Sequence, residues 1–247
     1  MITIVKDNKP ENVLYHLKRD EIVLLDNISE GGFKNLCRDI GVLNQRYGEF
    51  YQVVDTGQDY KTTNIPISQT REDTGVHTDS SAKNYNPQYV SLFCASQGET
   101  GGESYFVDMR ALFFDLKNEN IALLNYLTGD FYRDVVTPGT ENNLENIKLN
   151  KFPIIKFKEN KLVEFRYMRY WIERAYKKLE LEEELDSKNL DELDSYLLSE
   201  KYKSRIQLKN NQAIIFNNSF YPHGRTSYQE NQFLKRRFIR VWFDALF

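Results

Sequence analysis

The 247-residue chain is poor in the residues that make small secreted proteins and simple metal clusters: it has two cysteines, Cys37 and Cys94, and three histidines, His16, His77 and His223. Two cysteines cannot build a disulfide framework, so a hydrophobic core has to hold the fold. No apolar run approaches the length of a membrane span. The N-terminal stretch MITIVKDNKPENVLYHLKRD has no apolar segment of the length a secretion signal needs, so a reducing cytoplasm is the expected compartment and no membrane partner is expected. Basic excess is missing as well. Lys plus Arg is 33 and Asp plus Glu is 36, for a formal net charge of −3, which argues against a nucleic-acid partner. Repeats and low-complexity linkers are also lacking, so residues 1–247 read as a single domain. What is plentiful is aromatic: 16 Tyr and 16 Phe, spread along a chain that is 40% hydrophobic, describe a globular protein with a sizeable core.

Periodicity divides the chain into short elements. Residues 2–5 and 21–26 read as strands flanking a short helical piece at 11–17. Ser29 is placed to cap a helix running to about Asn44, with Phe33, Leu36, Cys37 and Ile40 at helical spacing. Residues 51–55 suit a strand, and 56–76, polar with two glycines and one proline, read mainly as loop. Strand signals recur at 88–96 and 104–107. The stretch 108–125 reads as one helix, with Leu112, Phe113, Leu116, Leu123 and Leu124 at three- and four-residue steps. Residues 131–136, 153–158 and 162–167 return to β, and 170–200 is helical and acidic with Leu179, Leu181, Leu185 and Leu193 as its apolar face. Three more strands are expected at 205–209, 212–217 and 235–243. The tally is mainly β with helical decoration: an α/β lead-in over about 1–60, a helical insertion at about 170–200, and no regular strand-helix alternation. An antiparallel barrel or sandwich such as a jelly roll fits it best.

Histidine chemistry must draw on three residues. His77 and Asp79 are two apart, so on an extended chain both side chains point to one side, where an imidazole and a carboxylate can share a metal ion. Alone, the pair is no more than a polar loop. His223 follows a core strand and sits between Pro222 and Gly224, in a tight backbone that equally suits a turn. Taken together, His77, Asp79 and His223 supply the two-histidine, one-carboxylate set that suits non-haem Fe(II) oxygenases. Farther on, LKRRFIRVWF places Arg236, Phe238 and Arg240 on one face of a strand and Arg237 on the other. A guanidinium on the inner face needs a partner, and a planar carboxylate matches it best. In GETGGESYFVD, Ser104 opens a strand and is able to donate to a carboxylate or to cap a turn.

Four blocks, HTD at 77–79, CASQGETGGES at 94–104, N-x-x-x-x-H-G-R at 218–225 and RRFIR at 236–240, together resemble the TauD/TfdA family of Fe(II)- and 2-oxoglutarate-dependent oxygenases and its clavaminate-synthase-like branch. The likeness extends over about residues 70–245. It implies a double-stranded β-helix, a jelly-roll barrel with the iron at one mouth. It implies His77, Asp79 and His223 as iron ligands, Arg236 on the distal carboxylate of 2-oxoglutarate with Ser104 beside it, and Arg240 as a second arginine near cosubstrate or substrate. Ser104 stands where the family often has threonine. The implied cofactors are Fe(II), 2-oxoglutarate as cosubstrate and O2. The implied reaction is oxidation of an unactivated C–H bond of a small molecule, an amino acid or amino-acid-derived metabolite, with release of succinate and CO2. Hydroxylation is the expected outcome, with desaturation or cyclisation as variants. A carboxylate at position 79 argues against halogenation, whose enzymes replace it with chloride. Arg166 and Tyr167 fall in the stretch similar to the family's substrate side and are candidate substrate residues, against the alternative of a solvated basic turn. Two other readings compete: a catalytically silent jelly-roll binding protein, and a metal enzyme of the same fold that does not use 2-oxoglutarate.

Overall fold

The alternation of the strands decides the layering. In Ile22–Leu25 the residues Ile22 and Leu24 point to one face and Val23 and Leu25 to the other, and all four are buried. The same split recurs in Gln212–Asn217, where Ile214 and Phe216 oppose Ala213 and Ile215, and in Arg237–Ala245, where Phe238 and Trp242 oppose Ile239, Val241 and Phe243. A sheet apolar on both faces must be covered on both. The computed structural model, which describes residues 2–58, 60, 63, 65–80, 82–135 and 143–246, shows how.

The central sheet runs in the order Thr3–Val5, Ile22–Leu25, Gln212–Asn217, Tyr89–Ser96, Arg237–Ala245, with Gly41–Leu43 and Tyr51–Val53 pairing along the last strand. The first pair is parallel and the others are antiparallel. Two helices, Pro10–Asp20 and Glu30–Ile40, cover one face through Val13, Leu17, Phe33, Leu36 and Ile40. Ser29 caps the second of these, its Oγ accepting from Gly32 N at 3.1 Å. The helix stops at Ile40 instead of near Asn44, because Gly41 turns extended and starts a strand against Phe243. A Cβ at Gly41 would sit 2.3 Å from the Phe243 ring, so only glycine fits there.

The opposite face is covered by a smaller antiparallel sheet, Lys203–Ile206, Ser104–Val107 and His223–Arg225. Phe106 of this sheet packs on Phe216 of the central one, with ring centroids 4.9 Å apart. Among the described residues no hydrogen-bonded ladder closes the two sheets into a barrel, so the expected jelly-roll barrel takes the form of a two-sheet sandwich. Helix and strand also occupy similar shares of the chain, more helix than "mainly β" anticipates.

A third core lies beside the sandwich. Helices Met109–Glu119, Ile121–Leu127, Arg169–Lys178 and Ser187–Leu198 pack with the hairpin Ile155–Lys158 and Lys161–Phe165. The single helix expected over 108–125 is broken at Asn120, whose side chain leaves the helical backbone and caps the next helix by accepting from Leu123 N. The helical stretch 170–200 divides likewise, with Glu180 at φ 58° and Asp186 capping the second helix. The expected strand 153–158 is two strands: Lys151–Pro153 pairs with Asp130–Tyr132, and Ile155–Lys158 turns into the hairpin. The strand expected at 131–136 ends at Tyr132, and Val136 lies outside the described residues, as do positions 59, 61, 62 and 64 of the expected loop.

Phe33 and Phe93 stack at 5.1 Å on the helix-covered face, fully buried. Phe33→Ala is expected to destabilise the fold by about 3–5 kcal/mol. Urea unfolding measures that loss, and the folded fraction should bind Fe(II) as before, since this face lies across the sheet from the histidines.

Candidate active site

His77 and His223 are joined through their backbones. His77 N donates to His223 O at 2.9 Å and His223 N donates to His77 O at 2.8 Å. In an antiparallel pair that exchanges both bonds the two side chains emerge on the same side. The imidazoles accordingly lie 4.6 Å apart, ring centre to ring centre. His77 Nδ1 lies 3.0 Å from Gly75 O, an acceptor only, so Nδ1 carries the proton and Nε2 presents its lone pair to the site. Burial pushes both imidazoles down, His223 to about 3 with the neighbouring His77 adding to it, so both are neutral and able to ligate at ordinary pH.

Asp79 follows two residues after His77. Its Oδ1 lies 3.8 Å from His77 Nε2 and 3.9 Å from His223 Nε2. One donor atom from each of the three residues falls within 4.8 Å of the others, so a small inward movement of the side chains brings all three onto one ion with bonds near 2 Å. The other face of the carboxylate is held by the protein. Trp242 Nε1 donates to Oδ2 at 2.6 Å, and Arg240 Nη1 donates to Oδ1 at 3.2 Å. Burial alone would push this carboxyl up, but Arg240, the two imidazoles and the indole outweigh it and hold it below its usual value, so it is a carboxylate. Asn218 fixes the backbone beneath: its Oδ1 accepts from Asp79 N and its Nδ2 donates to Asp79 O, each at 2.9 Å.

Trp242 and Asn218 are functional positions that sequence reasoning passed over. A signal existed for Trp242, since 236, 238, 240 and 242 share one face by period two. Asn218 stood in the N-x-x-x-x-H-G-R block without a role.

Beside the histidines lies a slot of about 460 Å³ lined by Ser104, Thr74, Gly224, Arg225, Arg236 and Phe238 among others. Arg236 is only 4% exposed, and its guanidinium lies 3.7 Å from the Phe238 ring and 5.1 Å from that of Tyr228. Its Nε has no hydrogen-bond partner among the described residues. Burial, with the adjacent Arg225, pushes this guanidinium down to about 9. A buried cation of this kind is costly until an anion joins it, and a carboxylate matches its fork. Arg225 is differently placed: its guanidinium donates to the carbonyls of Thr70, Glu72 and Thr226 and so straps down the loop before His77. Arg237 points to the helix-covered face and pairs with Glu30 at 2.7 Å, as the period-two reading requires.

On the other side of the metal set an open cleft of about 810 Å³ shares Ser68, His77 and Arg240 with the slot. Its walls carry six Tyr and Trp side chains, among them Tyr47, Tyr51, Tyr170, Trp171 and Trp242. The candidate substrate residues Arg166 and Tyr167 are not among its lining residues. Arg166 is buried and donates to the carbonyls of Ser80, Ala82 and Tyr85, so its charge holds the loop after Asp79. Tyr167 O accepts from Thr78 N and Tyr167 N donates to Thr78 Oγ1, and the Tyr167 hydroxyl donates to Asp194 at 2.7 Å. Both support the metal loop from below. His16 pairs with Asp20 on the first helix, far along the chain from this set.

The family described as "Taurine catabolism dioxygenase TauD, TfdA family" matches residues 6–242, and so includes the N-terminal segment where no likeness was read from sequence. The chain belongs to the TauD/TfdA family. Fe(II) and 2-oxoglutarate are that family's metal and cosubstrate, and His77, Asp79 and His223 are the metal site here. A comparison with curated proteins gives no match. Among solved structures the chain is similar to AAD-2 in complex with Mn(II) and N-oxalylglycine, at 12% identity and a TM-score of 0.68, covering 99% of this chain and 95% of that one. It is similar to asparagine oxygenase at 14% identity and a TM-score of 0.65, covering 96% and 78%. It is also similar to the non-heme iron oxygenase OrfP, at 11% identity and a TM-score of 0.63, covering 95% and 80%. At these identities the likeness is one of fold. No helix among the described residues is long and apolar enough to cross a membrane.

Removing the indole donor tests the support of the metal site. Trp242→Phe keeps most of the ring volume but deletes the bond to Asp79 Oδ2, and the Kd for Fe(II) is expected to rise roughly 10–100-fold. Anaerobic titration measures it; an unchanged Kd would mean that the indole does not orient the ligand.

Proposed function

We propose that the protein is an Fe(II)- and 2-oxoglutarate-dependent hydroxylase of a small molecule, an amino acid or a metabolite derived from one. In this reading His77, Asp79 and His223 hold the iron, Arg236 grips the distal carboxylate of 2-oxoglutarate, and Ser104 donates to the same carboxylate. The observation that carries it is Arg236: a buried guanidinium, in direct ion pair with no carboxylate among the described residues, in a slot that also contains two of the three metal-set residues. A binding protein with a silent site has no use for such a cation, and neither has a metal enzyme without an acidic cosubstrate.

Iron loaded with 2-oxoglutarate and O2 supplies the oxidising chemistry: one oxygen atom enters succinate as CO2 leaves, and the other enters the C–H bond of the substrate. The protein's share is positioning. Trp242 and Asn218 hold Asp79 from the side chain and the backbone, and the cleft offers aromatic walls against which a substrate can be oriented. Arg240 bridges slot and cleft, a second positive charge beside Asp79. Support for an amino-acid-like substrate comes from the neighbours: asparagine oxygenase has been solved with Fe(II), a hydroxyasparagine and succinate, and OrfP with a hydroxyarginine.

The reading is tested by succinate formation from 2-oxoglutarate in the presence of Fe(II) and O2; no succinate with any substrate pool would sink it. Two variants separate the arginines. Arg236→Lys loses the bidentate fork, so the KM for 2-oxoglutarate should rise by one to two orders of magnitude, equivalent to roughly 1.5–3 kcal/mol for a charge-assisted bond. Arg237→Lys should leave that KM nearly unchanged, because its partner Glu30 is across the sheet.

A further inference from the structure

The glycine-rich stretch before Ser104 is folded against the arginine of the slot. Thr100–Gly101 pairs with Tyr228–Gln229 in a short antiparallel ladder. Further backbone bonds lock the two segments together: Glu99 N donates to Gln229 O at 2.8 Å, and Gly102 N donates to Ser227 O at 3.0 Å. Gly101 and Gly102 have φ of 72° and 75°, in the left-handed region that favours glycine. A Cβ on Gly101 would sit 2.3 Å from Ser227 O. A Cβ on Gly102 would sit 3.2 Å from Arg236 Nε and 3.4 Å from Tyr228 Cβ. The turn therefore lies directly on two side chains, and the missing Cβ atoms are what let it come so near.

Those two side chains also meet each other. The Arg236 guanidinium carbon lies 5.1 Å from the centre of the Tyr228 ring, and the Arg225 guanidinium carbon lies 4.6 Å from the same centre. The two arginines differ in what fixes them. Arg225 is tied to the carbonyls of Thr70, Glu72 and Thr226. Arg236 Nε has no partner among the described residues, and the neighbouring Arg225 repels the guanidinium. Its direction is set by the ring faces it rests on, Phe238 at 3.7 Å and Tyr228. A ring face attracts a cation, and more strongly where both are out of water. Phe238 is two residues along the chain from Arg236 and shares its strand face. Tyr228 comes from a separate segment and is itself held: it is 5% exposed, its N donates to Arg71 O at 3.1 Å, and the glycine turn presses on it. Tyr228 is thus the contact that relates Arg236 to the turn leading into Ser104.

Resting on the proposed role of Arg236 toward the distal carboxylate of 2-oxoglutarate, we propose that Tyr228 is the positioning residue that aims this guanidinium into the slot, and that the Gly101–Gly102 turn keeps ring and arginine together. Tyr228 acts through Arg236 and through its ring face, without touching the cosubstrate. A guanidinium held in this way is already oriented when a carboxylate arrives, so less freedom is lost on binding.

The test loads the whole chain anaerobically with Fe(II) and reads the Kd for 2-oxoglutarate from the iron–2-oxoglutarate charge-transfer absorption. Tyr228→Leu keeps apolar bulk but removes the ring face, and the Kd is expected to rise roughly ten-fold or more. Tyr228→Phe keeps the ring and should stay within about three-fold of the parent protein. A merely structural role would lower the amplitude of the band, as less protein folds, and leave the Kd of the folded fraction in place. Action through Arg236 is read from a double variant: on an Arg236→Met background, Tyr228→Leu should add less than about three-fold, because the two residues serve one contact. Gly102→Ala, whose Cβ meets Arg236 Nε, should also raise the Kd. Gly48→Ala, at φ 80° with nothing within 4 Å of its Cβ, imposes the same backbone strain and should not. That pair decides the matter if Tyr228→Leu does not fold. The inference is overturned by a rise under about ten-fold in Tyr228→Leu, by Tyr228→Phe binding as weakly as Tyr228→Leu, by additive losses in the double variant, or by Gly102→Ala binding as tightly as Gly48→Ala. In each of these cases an intact band in the parent protein leaves the Fe(II)/2-oxoglutarate reading standing. No band in the parent protein overturns that reading, and this inference with it.

Discussion

Two backbone hydrogen bonds between His77 and His223 are the constraint on which the rest of the site depends. They join a loop to a strand 146 residues later in the chain, and they force both imidazoles onto one side. Once that is done, the period of two along the extended chain brings Asp79 to the same side as His77. The metal site is thus a consequence of backbone pairing, with the side chains following from it. This explains why so much of the surrounding structure serves the loop that carries His77 and Asp79. Asn218 clamps its backbone at Asp79, Tyr167 at Thr78, and Arg225 straps the segment before it.

The buried arginines show the same economy of purpose. Arg133, Arg166, Arg225 and Arg236 are each 6% exposed or less. Three of them donate to backbone carbonyls: Arg133 to Phe131 and Phe152, Arg166 to Ser80 and Tyr85, Arg225 to Thr70 and Glu72. A carbonyl is a weak acceptor for a buried charge, but several together satisfy the fork and pin irregular chain in place. Arg236 is held between rings and makes no such bond with a described residue, the feature on which its proposed role toward a carboxylate rests. Identical residue types, equally buried, therefore do structural or ligand-binding work according to whether carbonyls surround them.

The sandwich separates stability from chemistry. Helices cover one face of the central sheet, and the smaller sheet covers the other. The metal-set residues, the slot that contains Arg236 and the open cleft gather on the latter side. Arg237 marks the division, since it lies next to Arg236 in sequence yet forms its ion pair with a covering helix. The third core, built from the helices after Ser104–Val107, supplies Arg174, Tyr170 and Trp171 to the cleft wall. The same region also carries Tyr167, which is bonded to Thr78 and to Asp194, so cleft wall and metal loop are braced by one core.

The chain alone determined what depends on local geometry. Strand period placed Arg236 and Arg240 together and Arg237 opposite, helical spacing gave Phe33, Leu36, Cys37 and Ile40 as a buried face, and scarcity of histidine left few choices for metal ligands. Local signals also misjudged continuity. Helices were read through Asn120 and past Gly41, because a capping side chain or a close ring contact interrupts a helix for reasons outside the hydrophobic pattern. Only the tertiary structure decided which charged side chains were already engaged. Arg166 looked free for a substrate and is instead bound to the carbonyls of Ser80 and Tyr85; Trp242, given no role from the sequence, is the donor to Asp79, 163 residues away. The physical reason is that periodicity is a property of the backbone and is written in neighbouring residues, whereas the partner of a buried polar group is fixed by where distant segments cross.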